Sequence, residues 1–135
     1  MTLKRVNVSS GSVYEPIIGF SRAVRIGNIV AVGGTTAGSG GKKAAVGDPA
    51  AQTRATLEVI AKALADAGAS LKDVIRTRVY LVDVSHWEEV GRVHGEFFGD
   101  IRPASSMLEV SGFIDPDWLV EIEALRWCRT QRLRG

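Results

Sequence analysis

The segment from Asp48 to Gly68, "DPAAQTRATLEVIAKALADAG", constrains the fold more than any other stretch. Asp48 suits a helix N-cap, and Pro49 is preorganised for the first helical position. Leu57, Ile60, Ala61 and Leu64 follow at i, i+3, i+4 and i+7 and form one apolar stripe. Arg54, Glu58, Lys62 and Asp66 alternate in sign at i+4 steps, which marks a solvated face. Gly68 supplies a left-handed C-cap. The spacing predicts a helix from about Asp48 to Ala67, and its apolar stripe must lie on another layer.

The flanking segments supply that layer as strands. "TLKRVNV" alternates, and "SRAVRIG" and "NIVAVGGTTA" read as two strands joined at Gly27-Asn28. Residues 37–47, "AGSGGKKAAVG", read as a flexible loop. "DVIRTRVYLVDV" is a long strand with Ile75, Thr77, Val79 and Leu81 on one face. Its other face carries Val74, Arg76, Arg78, Tyr80 and Val82. Ser85 with Glu88 reads as the capping box of a second helix that ends at Gly99. "SSMLEVSG" and "LVEIEALRW" are the last two strands. In the latter, Val120, Ile122 and Ala124 point one way and Glu121, Glu123 and Leu125 the other.

The expected order is β-β-β-α-β-α-β-β in a single domain over residues 1–135. Two helices cover only one face of a mixed sheet, so the class is α+β. The other face should collect Arg76, Arg78, Glu109, Glu121 and Glu123, alternating with Val74, Tyr80, Met107 and Leu125. Such a face suits an oligomer interface with polar clefts.

Several function classes fall away. "GSGGKK" is not a phosphate-binding loop, because Thr36 stands six residues before Lys42 and Lys43 replaces the metal-holding Ser/Thr. No G-x-S-x-G elbow surrounds Ser105 or Ser106. His86 and His94 lack metal-ligand spacing, and the only cysteine is Cys128, so no metal site is expected. His94, between Val90 and Phe97, reads as a helix-packing residue, and the sequence puts no orienting acid beside it for a Ser–His pair. The tail residues Arg126, Arg129, Arg132 and Arg134 could contact phosphates, but no aromatic platform accompanies them. A net charge of +2 does not by itself argue for nucleic acid. No segment approaches the ~20 apolar residues that span a bilayer. The lone cysteine and the polar N-terminus fit a cytoplasmic protein.

The chain resembles the Rid family, also called YjgF/YER057c or endoribonuclease L-PSP. The resemblance is carried by "GFSRAVRIGNIVAVGG", "AQT" at Ala51–Thr53, "LADAGASLKDVIRTRVYLVD", "FFGDIRPASSMLEV" and "VEIEA". It implies a chorismate-mutase-like subunit assembled as a homotrimeric barrel, with small-molecule clefts between subunits and no cofactor. It also implies hydrolysis of reactive imines and enamines such as 2-aminoacrylate. Active relatives grip the substrate carboxylate with the arginine of a Pro-Ala-Arg run. That run is Pro103-Ala104-Ser105 here, so the resemblance places a neutral serine at the clamp.

Other pocket positions implied by the resemblance are Phe20 for a usual tyrosine, Gly34, Thr35 for a frequent glutamine, Gly91 for a common asparagine, and Met107. Glu121 keeps the family's acidic residue as the candidate catalytic group. Arg22 is the candidate replacement cation, and Arg102 a further one; by default both read as surface arginines with solvated heads. The expectation is a hydrolase of a small imine, enamine or related intermediate that depends less on a carboxylate, and the standard 2-aminoacrylate deaminase activity is not carried over. A non-catalytic metabolite-binding or regulatory trimer is the alternative, and ribonuclease ranks below both.

Overall fold

The computed structural model describes residues 3–129. In chain order the elements are β1 (Arg5–Val8), β2 (Ala23–Ile26), β3 (Ile29–Thr35), α1 (Pro49–Asp66), β4 (Val74–Leu81), α2 (Trp87–Phe98), β5 (Ala104–Glu109) and β6 (Val120–Trp127). The expected order is borne out. A π-helical turn over Glu15–Gly19, unforeseen in the sequence, precedes β2.

The sheet runs β1-β2-β3-β6-β4-β5. Every neighbouring pair is antiparallel except β4 with β5. β3 and β4 both run against β6, so they are parallel to each other across it. Two helical crossovers result: α1 from β3 to β4, and α2 from β4 to β5. Crossovers of one hand place both helices on one face. The α+β class is therefore as expected.

Between helices and sheet, Leu57, Ile60 and Leu64 of α1 and Val90 and Phe98 of α2 pack on Val30, Val79, Leu81, Val120 and Ile122. Burying each such side chain is worth about 1.5–3 kcal/mol. The caps of α1 form as the sequence predicts: Asp48 Oδ1 accepts from Ala51 N at 3.0 Å, and Gly68 has φ +75°.

The start of α2 differs from expectation. Asp83 Oδ1 accepts both Ser85 N (2.9 Å) and Ser85 Oγ (2.7 Å), which fixes a 3₁₀ turn over Val84–His86. With its hydroxyl committed there, Ser85 makes no capping box with Glu88, and α2 begins at Trp87. At the other end Gly99 stays right-handed. Arg102 takes the left-handed conformation instead, at φ 56°, and its N–H donates to Phe98 O at 2.8 Å.

The faces of β6 are as expected: Val120, Ile122 and Ala124 are buried beneath the helices, and Glu121, Glu123 and Leu125 lie on the open face. Two strands correct the reading. A bulge in β4 between Val74 and Arg76 turns Val74 into the core and exposes Ile75. The parallel register sets Ser105 beside Thr77, Met107 beside Val79 and Glu109 beside Leu81. Met107 and Glu109 therefore lie on the helix side, and Ser106 and Leu108 occupy the open face. Glu109 Oε1 accepts from Val84 N at 2.9 Å. On the open face, Glu123 Oε1 accepts from Tyr80 Oη at 2.7 Å and from Arg78 Nη1 at 3.2 Å. That face carries a shallow trough of about 460 Å³ between Phe20, Val24, Ala31, Arg76 and Leu125.

Candidate functional site

A bulge in β3 builds the site. Between Val32 and Thr35 the strand carries one residue more than β6 opposite it, and Gly33-Gly34 occupy the irregularity. Glu121 of β6 lies against this point. A Cβ on Gly34 would fall 2.9 Å from Glu121 Cδ and 3.0 and 3.1 Å from its carboxyl oxygens. The glycine is what lets the carboxyl lie flat on the strand.

Beside it stands Arg22, 1% exposed. The default reading of Arg22 as a surface residue is overturned. Its Nε donates to Ser10 Oγ at 3.0 Å, and its Nη1 donates to Gly34 O at 2.5 Å and Thr35 Oγ1 at 3.2 Å. Phe20 covers the guanidinium from 5.3 Å. Ser10 is itself held by Glu15, whose Oε2 accepts Ser10 N and Ser12 N at 3.0 and 3.2 Å. Burial pushes the Glu15 carboxyl up, but its bonds with Ser10, Ser9 and Ser12 outweigh this and hold it below the usual value. Nη2 of Arg22 makes no hydrogen bond among the described residues, and it is not among the buried polar atoms left without one. Arg22 lines a cavity, and Nη2 is the guanidinium nitrogen that these bonds leave unused. Arg102, by contrast, is exposed as expected and donates Nε to Gly99 O at 3.1 Å.

Arg22, Glu121, Phe20 and Gly34 line one cavity of about 240 Å³, closed by Tyr14, Ile18, Phe113, Ile114 and Trp118. Burial pushes the Glu121 pKa up, the Glu123 charge adds to this, and Arg22 opposes it. Burial lowers the Arg22 pKa, against Glu15 and Glu121. Thr35 lies behind the cavity wall, fully buried, with Oγ1 donating to Gly33 O at 2.7 Å. It fixes Arg22 and does not line the space.

The aromatic wall went unforeseen. Trp118 is carried on the loop before β6, and that loop is pinned by Gln52 of α1. Gln52 Nε2 donates to Asp117 O at 2.9 Å, and its Oε1 accepts Leu119 N at 2.8 Å. The glycine-rich loop, expected to be flexible, is hydrogen-bonded at its start: Thr36 N donates to Ser39 Oγ at 2.8 Å and Gly41 N to Gly38 O at 3.1 Å. Lys43 ties it to the opposite wall through Asp117 (2.5 Å) and Asp115 (3.3 Å). Gly38 lies so close to Trp118 that a Cβ would enter the ring. Gly38→Ala is accordingly expected to cost about 1–3 kcal/mol by overpacking. Urea denaturation of the variant beside the parent checks this.

The family pattern described as endoribonuclease L-PSP matches residues 11–127. The chain belongs to the Rid (YjgF) family. A crystal structure of a YjgF/YER057c/UK114 family member from Mycobacterium tuberculosis is 52% identical, with a TM-score of 0.85, over 93% of this chain and all of that one. The YjgF protein of E. coli is 25% identical with a TM-score of 0.78, over 91% of this chain and 94% of its own. An uncharacterized protein of Streptomyces coelicolor is 43% identical over 116 residues, 86% of this chain and 87% of that one. The 3-aminoacrylate deaminase RutC of Acinetobacter baylyi is 42% identical over 80 residues, 59% of this chain and 63% of its own.

In this Rid chain the remaining predicted positions, Gly91, Ser105 and Met107, do not line the cavity. Gly91 lies on α2 with open space where a Cβ would be. Met107 packs against the core from the edge strand β5. Ser105, exposed on the same strand, accepts from Thr77 Oγ1 at 2.8 Å. Among the described residues, no group of three or more His, Cys, Asp and Glu is placed to hold a metal. No helix among them is long and apolar enough to cross a membrane. Arg126, considered for phosphate contact, is instead 3% exposed, donating to Asn28 O at 3.2 Å and lying 3.4 Å from Asp73 Oδ2. Arg129 is exposed, and Arg132 and Arg134 lie outside the described residues.

Proposed function

We infer that the chain hydrolyses a small imine or enamine, as a cytoplasmic homotrimer with its clefts between subunits. The observation that carries this reading is Arg22 and Glu121 meeting in one cavity with aromatic walls. Hydrolysis of an imine needs a group that takes a proton from water and returns one to the departing amine. A carboxyl whose pKa burial raises can serve both steps. The free Nη2 of Arg22 offers a cation to a ligand carboxylate. The relative named 3-aminoacrylate deaminase supports the enamine acid as substrate class.

In this reading the cavity is one half of the cleft. The other half comes from β5 and α2 of a neighbouring subunit, with Ser105, Met107 and Gly91. The open sheet face turns toward the trimer's interior. Ser105 replaces the family's clamp, and Arg22 takes over the carboxylate from the opposite wall.

The test is release of ammonia and keto acid from imines generated in situ, with and without a carboxylate. A hydrogen bond to an ionised partner is worth about 1.5–3 kcal/mol. Arg22→Gln should therefore weaken a carboxylate ligand by about 10- to 150-fold and leave an uncharged analogue within a few-fold. Equal effects on both, in calorimetric titrations, would remove Arg22 from the role of clamp. By the same magnitude, Ser105→Arg should tighten the binding of a carboxylate ligand by about 10- to 150-fold, since it restores a charged donor. No gain in affinity in the same titrations would mean that the site has diverged beyond this one residue.

A non-catalytic binding trimer is the second reading. It is favoured by the commitment of three Arg22 donors to the protein itself. A ligand that raises the melting temperature but is never turned over would select it. The nuclease reading loses Arg126, which is buried.

A further inference from the structure

Three groups that do not line the cavity form a continuous line. His94 Nε2 lies 2.8 Å from Thr77 Oγ1, and Thr77 Oγ1 donates to Ser105 Oγ at 2.8 Å. Thr77 has one hydroxyl hydrogen. With that hydrogen on Ser105, its oxygen accepts from Nε2–H of His94. Ser105 ends the line at an exposed point of the edge strand, and Thr77 is fully buried. At the other end, His94 Nδ1 makes no hydrogen bond among the described residues, yet it is not among the buried polar atoms left without a partner. It keeps contact with solvent. The ring is held by Phe98, 4.7 Å away between centroids.

We propose that His94, Thr77 and Ser105 form a proton relay that delivers a proton from solvent to a ligand seated against Ser105. Ser105 gives its hydroxyl proton to the ligand's enamine carbon or imine nitrogen. Thr77 passes its proton to Ser105 Oγ, and His94 passes the Nε2 proton to Thr77. His94 Nδ1 takes one proton from a solvent water, so the ring ends as the neutral Nδ1–H tautomer. One proton enters the relay and one leaves it, no residue is left charged, and the hydroxide left in solvent balances the iminium cation formed on the ligand. The inference rests on the reading that Ser105 faces the ligand cleft, and it assigns the serine there a chemical task of its own. The substrate class is a small enamine or imine that must be protonated before water attacks.

The surroundings leave the ring neutral. Burial lowers the His94 pKa, and no neighbouring charge contributes. On α2, Glu88 pairs with Arg92; Glu96 pairs with Arg54 of α1. Arg76 and Arg78 of β4 lie on the opposite sheet face. Glu109 of β5 is engaged by Val84 N, and Arg102 by Gly99 O. A neutral imidazole can exchange its tautomers, which the relay requires.

Nitrogen-15 spectra of the histidines in the free full-length protein test the line itself, with His86→Gln used to assign His94. Ser105→Ala and Thr77→Val should each shift the His94 tautomer ratio, and Thr77→Ser should restore it. An unchanged ratio in Ser105→Ala overturns the relay, and that variant serves even where Thr77→Val fails to fold. Turnover tests its use: His94→Gln and Thr77→Val should lose at least tenfold in kcat on an enamine with KM within a few-fold, and Thr77→Ser should recover it. A kcat unchanged beside a coupled His94 would also overturn the proposal. A parent protein that turns over no imine or enamine would instead defeat the functional reading, and the nitrogen-15 result would still judge the line.

Discussion

Glu121→Gln should lower imine or enamine hydrolysis by about 10²- to 10⁴-fold, the usual worth of a positioned acid-base group. Glutamine keeps the shape and the packing on Gly34 but cannot exchange a proton. Ligand affinity should stay within a few-fold. The same variant carries an opposite effect on stability. The folded-state pKa of Glu121 lies above the usual carboxyl value of 4.5. A carboxyl raised in this way binds its proton more tightly in the folded chain than in the unfolded one. Its contribution is thus most favourable at low pH and is lost as pH rises through 4.5 toward the folded value. At pH 7 the parent bears this cost and Glu121→Gln does not. The variant should be at least as stable as the parent at pH 7, with any advantage vanishing below about pH 4. Steady-state rates and denaturation at two pH values check both halves. A Gln variant that hydrolyses imines like the parent removes Glu121 from the chemistry.

Gly34→Ala should be nearly as damaging to turnover and almost silent in stability. The new methyl group would meet the Glu121 carboxyl at 2.9–3.1 Å. That group is the end of a flexible side chain and can swing away at small cost. Gly34 has no positive φ, so no backbone strain is added. Displacement of a reacting group by about 1 Å can cost 10²-fold in rate. A loss of about 100-fold in kcat with a melting temperature within a few degrees of the parent is expected. A large drop in stability with normal specific activity would show the glycine to be a packing residue only.

Much of the fold was legible because periodicity survives where nothing interrupts it. β6 alternates without a break, and its faces were read correctly. β4 was read correctly from Arg76 on, but a bulge at Ile75 shifts the face of Val74 and leaves no mark in composition. The faces of β5 depend on its register with β4, which the Gly99–Pro103 connection sets, and alternation alone cannot fix that parity. Ser85 fitted a capping box, but Asp83, two residues earlier, is a stronger acceptor and claimed it.

The site was legible only where the family resemblance reached. Glu121, Phe20 and Gly34 came from matched positions. The burial of Arg22 did not, because an arginine reads as exposed until its acceptors are known, and these are a backbone oxygen and two hydroxyls on separate segments. Trp118 had one faint signal, the "DPD" turn before it. The Thr77–Ser105 contact joins residues 28 apart in sequence and follows from strand pairing alone.

β6 lies in the middle of the sheet, between β3 and β4, yet it is the last of the six strands to be synthesised. Until it emerges from the ribosome, β3 and β4 have no common neighbour. The nascent chain then holds two separate sheet fragments with unpaired edges, open to pairing with other chains. The strand that bears Glu121 is thus also the one that makes the sheet continuous. A chain that stalls before Val120 has neither a continuous sheet nor the Glu121 carboxyl in its cavity, so one strand supplies both in the same step.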